Sequence, residues 1–111
     1  MKENILRELW DIIESRKGMS SKESWTAQLL NKGTAKICKK VGEEATEVVI
    51  AALAEKKKHL VAESADLLYH LLVLWADKDI EPDNVYAELE KRFGISGIEE
   101  KDSRKEDTND L

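Results

Sequence analysis

The chain has 111 residues, which is room for one domain, and we expect that domain at residues 1–98 with a charged tail at 99–111. Hydrophobic residues make up 41% and charged residues 37%, with five glycines and one proline, a composition that favours an all-α fold. The formal net charge of −5 argues against nucleic acid or an anionic membrane as a partner, because both attract basic surfaces.

The placement of charges and the single cysteine excludes further classes of protein. Charged residues interrupt the segment 1–17, so we expect no signal peptide and a cytoplasmic location. The longest apolar run, residues 67–76, contains His70 and is well short of the roughly 20 residues that cross a bilayer. Cys38 has no cysteine with which to form an internal disulfide, and we expect it to be a small buried residue.

Apolar residues at helical spacing predict two helices in the first third of the chain. The first covers residues 3–17 and ends at Gly18. Ser24 is suited to accept a hydrogen bond from the backbone of a following turn, so it predicts the N-cap of a short helix through residue 31. Lys32 and Gly33 then end that helix.

Two long helices are predicted in the middle of the chain. Thr34 is suited to cap the third helix, which runs to about residue 55. Lysines at 56–58 form the turn into a fourth helix that ends near Asp77, and so short a connection predicts an antiparallel hairpin. The predicted inner stripes are Ile37, Val41, Ala45, Val48, Val49 and Ala52 in the third helix, and Leu60, Ser64, Leu67, Leu71, Leu74 and Trp75 in the fourth.

A fifth helix is predicted near the end of the chain. Pro82 suits its first position, Val85, Leu89 and Phe93 form its inner face, and Gly94 ends it. Residues 99–111 are charged and almost without apolar side chains, which predicts disorder. The chain is therefore expected to be a bundle of about five helices around two long antiparallel ones.

Four acidic residues occur as two pairs on the long helices. Glu44 and Glu47 are three residues apart on the third helix, and Glu63 and Asp66 are three apart on the fourth. Residues at this spacing share a helix face, so a hairpin is able to bring all four carboxylates together.

These acids border the apolar stripes, which predicts that they point toward the groove between the helices. Four carboxylates in a partly buried groove repel one another and are expensive to desolvate unless a cation compensates them. Carboxylate oxygens suit Mg²⁺ or Mn²⁺, and a magnesium ion held by few carboxylates keeps positions for water and phosphate. Ordinary solvated surface acids remain the alternative interpretation.

Two other side-chain patterns lie close to these acids. Lys36 and Lys40 fall on the carboxylate side of the third helix and are suited to bind phosphate, although a surface ion pair between Lys39 and Glu43 is an equally good interpretation of this basic segment. The fourth helix also carries His59, Glu63, Asp66 and His70 on one stripe. Imidazole and carboxylate groups together suit a transition metal, so such a site is a weaker alternative interpretation. A hydrogen-bonded core histidine is the favoured interpretation of His70.

Several short motifs extend over most of the chain. They include Ser24, Trp25 and Thr26, then Lys32 and Gly33, the run at 40–44, Glu47, Glu63, the run at 66–70, and the run at 96–101. Together they closely resemble the phosphoribosyl-ATP pyrophosphatases of histidine biosynthesis, within the all-α nucleotide pyrophosphohydrolases. Trp25 departs from the tyrosine that is usual in that family.

The resemblance implies hydrolysis of phosphoribosyl-ATP to phosphoribosyl-AMP and pyrophosphate by a homodimer built from these helices. It also implies Mg²⁺ bound by Glu44, Glu47, Glu63 and Asp66. Glu43 or Glu47 is expected to accept the proton of the attacking water, while Lys36 and Lys40 offset charge on the leaving pyrophosphate. Contacts to phosphate or ribose are expected from Ser24, Thr26 and Lys32.

Two alternative functions stay open from the sequence alone. A house-cleaning pyrophosphohydrolase for other nucleoside triphosphates would use the same four acids. A non-catalytic helical dimerisation module would leave the acids solvated and indifferent to Mg²⁺.

Overall fold

The computed structural model describes residues 4–93, and over this range the chain is all-helical, as predicted. Residue 94, the predicted helix stop, and the predicted tail at 99–111 lie outside the described residues. No helix among those described is long and apolar enough to cross a membrane. The five helices are α1 (Ile5–Ser15), α2 (Trp25–Lys32), α3 (Thr34–Leu53), α4 (Lys57–Asp77) and α5 (Pro82–Lys91).

The two long helices, α3 and α4, form the most extensive helix pair in the described structure. A turn of only three residues, at 54–56, joins them, with Glu55 in the left-handed region at a φ of 57°. At the opposite end, the Thr34 hydroxyl donates a hydrogen bond of 2.5 Å to Asp77 Oδ2. The first residue of α3 therefore meets the last residue of α4, which confirms the antiparallel hairpin.

The core lies at one end of this hairpin. Helices α1 and α2 both pack against α4, and α2 also packs against α3. Each fully buried aliphatic side chain at this junction contributes on the order of 1.5–3 kcal/mol by leaving water. The buried cluster consists of Trp10 and Ile13 from α1, Leu29 from α2, Ile37 from α3, and Leu72, Val73 and Ala76 from α4.

Local sequence signals account for several helix ends. Ser24 caps α2 as predicted, with its hydroxyl accepting a 2.9 Å hydrogen bond from the Ala27 N–H. Gly33 ends α2 with a φ of 91°, a conformation that glycine adopts without the steric cost of a Cβ atom. Pro82 is the first residue of α5, as predicted.

Some predicted details of the helices were wrong. Thr34 does not cap α3, because Gly33 holds that position and the Thr34 hydroxyl is committed to Asp77. Helix α4 begins at Lys57, so two of the lysines predicted to form the turn are already helical. Cys38 is exposed, since it follows the buried Ile37 by one residue and so lies about 100° around the helix from it.

The prediction that one face of α5 is buried was also wrong for the single chain. Leu89 is 52% exposed and Phe93 is 76% exposed, while Val85 is only half-buried. The spacing of these residues correctly indicated an amphipathic helix. Spacing alone carries no information about whether another element of the same chain covers the apolar face.

The contact between the ends of the hairpin gives a test of the fold. Replacing Thr34 with valine should destabilise the chain by about 1–2 kcal/mol, because a half-buried carboxylate at Asp77 loses its hydrogen-bond donor. Urea unfolding measures this change. Thr46→Val is the matched control, since the Thr46 hydroxyl is exposed and bonds only the Gly42 carbonyl of its own helix. Equal effects of the two substitutions would contradict a role for the Thr34 contact.

Candidate metal centre

Three carboxylates converge where α3 faces α4. One oxygen from each of Glu44, Glu63 and Asp66 lies within 4.8 Å of the other two. Ligands on opposite sides of a magnesium ion are about 4.2 Å apart, which is twice the bond length of roughly 2.1 Å. Small rotations of these side chains therefore suffice to place three oxygens around one cation. We call Glu44, Glu63 and Asp66 the acid cluster.

The charges of the acid cluster act most strongly on Glu63. Its pKa is raised above the ordinary value for glutamate, first by a hydrogen bond with Glu44, then by loss of solvation, and then by the negative charges of Glu44, Asp66 and Glu47. A hydrogen bond between two carboxyl groups requires a proton on one of them. Repulsion in the cluster is thus relieved either by that proton or by a cation.

Glu47, the fourth predicted metal ligand, lies beside the cluster rather than within it. Its charge contributes to the raised pKa of Glu63, so the two side chains are close. Glu47 and Glu63 also line a small pocket of about 100 Å³, together with Lys56 and His59, between the second half of α3 and the start of α4. A carboxylate in this position is suited to accept a proton next to a bound cation.

Lys40 supplies positive charge at the edge of the cluster. Its Nζ atom lies 3.4 Å from Glu43 Oε2 and 3.7 Å from Glu44 Oε1. The Glu44 side chain is 13% exposed, whereas that of Glu43 is 47% exposed. Lys40 therefore contacts one solvent-exposed carboxylate, Glu43, and one largely buried carboxylate, Glu44. Glu43 thus pairs with Lys40 instead of with Lys39. Lys36, one turn earlier on α3, is half-buried.

The predicted substrate contacts on α2 differ in their surroundings. The Ser24 hydroxyl caps its helix, and Thr26 is buried with its hydroxyl hydrogen-bonded to the Tyr69 hydroxyl. Tyr69 follows Asp66 by three residues, so the start of α2 lies toward the acid cluster. Lys32 is exposed at the far end of α2. Substrate contact by any of these residues stays a prediction.

The two histidines of α4 do not join the acid cluster. His59 is exposed and borders the small pocket, whereas His70 is 5% exposed and hydrogen-bonds the Asp66 carbonyl through Nδ1 at 2.7 Å. His70 is therefore a hydrogen-bonded core group, as favoured from the sequence. Among residues 4–93, the groups close enough to share a cation with the acid cluster are carboxylates only.

Two features of the site were not foreseen. The hydroxyl pair of Thr26 and Tyr69 links α2 to the acid-bearing helix, and Lys40 contacts Glu44. The i to i+4 spacing of Lys40 and Glu44 was a signal for the second contact. Nothing in the local sequence signals the first, because it joins residues that are 43 positions apart.

Comparison with known proteins places these residues in a family. The family model described as phosphoribosyl-ATP pyrophosphohydrolase matches residues 6–93, a range that contains the acid cluster, Glu47 and Lys40. The chain belongs to the phosphoribosyl-ATP pyrophosphohydrolase family.

Curated relatives are similar over nearly their whole length. A phosphoribosyl-ATP pyrophosphatase of Paramagnetospirillum magneticum is 59% identical over 100 residues, which cover 90% of this chain and 92% of the relative. One of Trichlorobacter lovleyi is 59% identical over 104 residues, covering 94% of this chain and 96% of the relative. Another, from Geobacter metallireducens, is 53% identical over 103 residues, covering 93% and 94% respectively.

The raised pKa of Glu63 predicts how stability changes with pH when no divalent cation is present. Since the folded chain binds the Glu63 proton more tightly than the unfolded chain does, this favourable contribution exists at low pH and is lost as the pH rises through the folded pKa. Glu63→Gln should therefore be more stable than the wild type in EDTA, by a margin that grows from about pH 4 to about pH 7. Urea unfolding across this range measures the margin.

Saturating Mg²⁺ should reverse the order at neutral pH, because the wild type then gains more from the cation than the glutamine variant does. A margin independent of pH would show that Glu63 is not affected by its acidic neighbours.

Proposed function

We infer that this chain hydrolyses phosphoribosyl-ATP to phosphoribosyl-AMP and pyrophosphate, the second step of L-histidine biosynthesis. The observation that carries this conclusion is the family match over residues 6–93, supported by curated relatives of that name at up to 59% identity. The acid cluster lies inside the matched range and supports phosphate chemistry. A cytoplasmic location stays a prediction from the sequence.

The acid cluster supports Mg²⁺ as the cofactor, with Mn²⁺ as a substitute. The donor set is three carboxylates, which are the hard oxygen ligands that both ions prefer, and the raised pKa of Glu63 reflects its hydrogen bond with Glu44 and a repulsion that a cation would relieve. When bound, such an ion polarises phosphate oxygens and makes a coordinated water more acidic.

The proposed roles of the chain's own residues follow from their positions. Glu44, Glu63 and Asp66 hold the cation, while Glu47, adjacent to Glu63 but outside the cluster, accepts the proton of the attacking water. Glu43 suits that role less well, since it is more exposed and paired with Lys40. Lys40 offsets negative charge on the phosphates, and Lys36 adds to this from the preceding turn.

Substitutions in the acid cluster test the proposed chemistry. Glu44→Gln and Asp66→Asn should each lower turnover of phosphoribosyl-ATP by at least about 100-fold, because even groups that only support a metal ligand are worth 10- to 100-fold. Each variant should keep its helicity by circular dichroism. Glu90→Gln, an exposed position on α5, is the control and should retain wild-type turnover.

The choice of substrate needs a separate comparison. The kcat/KM for phosphoribosyl-ATP should exceed that for ATP and for deoxynucleoside triphosphates. A preference for ordinary triphosphates would assign the chain to house-cleaning chemistry instead, and full activity of both acid-cluster variants would favour a non-catalytic module.

A homodimer is the proposed assembly, and an exposed apolar surface supports it. The second half of α3 and the facing part of α4 carry large apolar side chains that nothing in the described chain covers. An apolar surface of this kind on a small domain is typical of an interface. We define this open apolar face as Val49, Ile50, Leu53, Val61 and Leu68, which are 56%, 53%, 81%, 71% and 47% exposed.

The open apolar face gives a direct test of the assembly. Leu53→Glu should shift the chain from dimer to monomer in sedimentation velocity, because a buried unpaired charge disfavours association. Lys22→Glu, a charge change in the loop before α2, should leave the dimer intact. A Leu53→Glu variant that sediments as the wild type does would place any dimer contact elsewhere.

A further inference from the structure

His70 lies on the acid-bearing side of α4. It follows Glu63 by seven residues and Asp66 by four, and seven residues fall about 20° short of two full helical turns. The side chain thus continues the stripe that Glu63 and Asp66 form. It is 5% exposed, which makes it one of the most deeply buried polar residues in the described chain.

The hydrogen bond to Asp66 determines which nitrogen of the His70 ring carries a proton. Nδ1 lies 2.7 Å from the Asp66 carbonyl oxygen, and a carbonyl oxygen only accepts, so Nδ1 carries the hydrogen. In the neutral ring Nε2 is then an acceptor. Nε2 is buried and has no hydrogen-bond partner among residues 4–93.

Donors beside the ring and at the acid cluster already have other partners. The Tyr69 ring packs edge-on against the imidazole at 4.9 Å, but its hydroxyl is paired with Thr26. The ammonium group of Lys40 is directed to Glu43 and Glu44. Buried polar atoms without a protein partner in native proteins are commonly satisfied by water or by a bound ion or ligand.

We propose that His70 is a positioning residue of the acid cluster, whose Nε2 accepts a hydrogen bond from a water molecule that hydrates the bound cation. The Nδ1–H bond to the Asp66 carbonyl holds the ring in the orientation that this contact requires. Magnesium ions in proteins keep several of their waters, and those waters need acceptors. The inference rests on the proposed function, since it presumes that the acid cluster binds a divalent cation.

Two substitutions of His70 by an amide side chain distinguish the roles of the two ring nitrogens. Asparagine places an N–H group near the position of Nδ1 and nothing at Nε2, whereas glutamine reaches the position of Nε2. His70→Asn should therefore weaken Mg²⁺ binding by about tenfold, which is the lower end of the loss in affinity seen when a group that supports a metal ligand is removed. His70→Gln should retain more of the Mg²⁺ affinity than His70→Asn does, because glutamine keeps an acceptor near the Nε2 position although it lacks the Nδ1–H anchor. Isothermal titration of the full chain with Mg²⁺, without substrate, measures both affinities.

Val73→Ala is the control for a general loss of stability, because Val73 is fully buried on the same helix but has no polar group. It should lower the melting temperature and leave the Mg²⁺ affinity unchanged. Wild-type affinity in His70→Asn, equal weakening in His70→Gln, or equal weakening in Val73→Ala would each overturn the inference. Failure of the wild type itself to bind Mg²⁺ would instead refute the proposed metal function.

Nitrogen NMR of the wild-type chain provides a measurement that does not depend on the folding of any variant. The chain has two histidines, so His59→Gln identifies the imidazole signals of His70. We expect the Nδ1–H form with and without Mg²⁺, and a shift of the Nε2 resonance when Mg²⁺ is added. An Nε2 resonance that Mg²⁺ does not move would overturn the inference.

Discussion

Repulsion among the carboxylates between α3 and α4 is the constraint on which the proposed function depends. Glu44, Glu63 and Asp66 approach within 4.8 Å, and the pKa of Glu63 rises in response. Packed domains retain only a small excess of favourable free energy, so a cluster of like charges at a helix interface needs compensation. The cation that we propose as this compensation would also enable the site to act on phosphates.

The fold keeps these charges together by anchoring one end of the hairpin. Trp10, Leu29, Ile37 and Val73 pack where α1 and α2 meet the start of α3 and the end of α4. The hydrogen bond from Thr34 to Asp77 closes that same end. The acids lie nearer to the middle of the hairpin than this core does. The buried core thus holds the two acid-bearing helices together at one end.

Much of this arrangement was predictable because it depends on short-range spacing. Pairs of acids three residues apart at the border of an apolar stripe predicted the convergence of Glu44, Glu47, Glu63 and Asp66, of which all but Glu47 form the acid cluster. The short connection predicted the hairpin that brings them together. Ser24 and Pro82 marked helix starts through their own chemistry. Family resemblance then supplied the reaction, which spacing alone does not specify.

The details that escaped prediction all depend on what a residue meets across the fold. Thr34 has the side chain of a helix cap, but Asp77 is within its reach and takes its hydroxyl. Leu89 and Phe93 have the spacing of an inner face, but no part of the described chain buries them. The unpaired Nε2 of His70 is likewise invisible in the sequence, because it reflects where neighbouring donors are directed.

The most direct test of cation binding by the acid cluster is an anomalous difference map from crystals of this chain grown with Mn²⁺. We expect a single strong peak within about 2.3 Å of carboxylate oxygens from Glu44, Glu63 and Asp66, with remaining positions filled by water. Crystals that hold Mn²⁺ elsewhere, or that show these three side chains extended separately into solvent, would contradict the proposed metal centre.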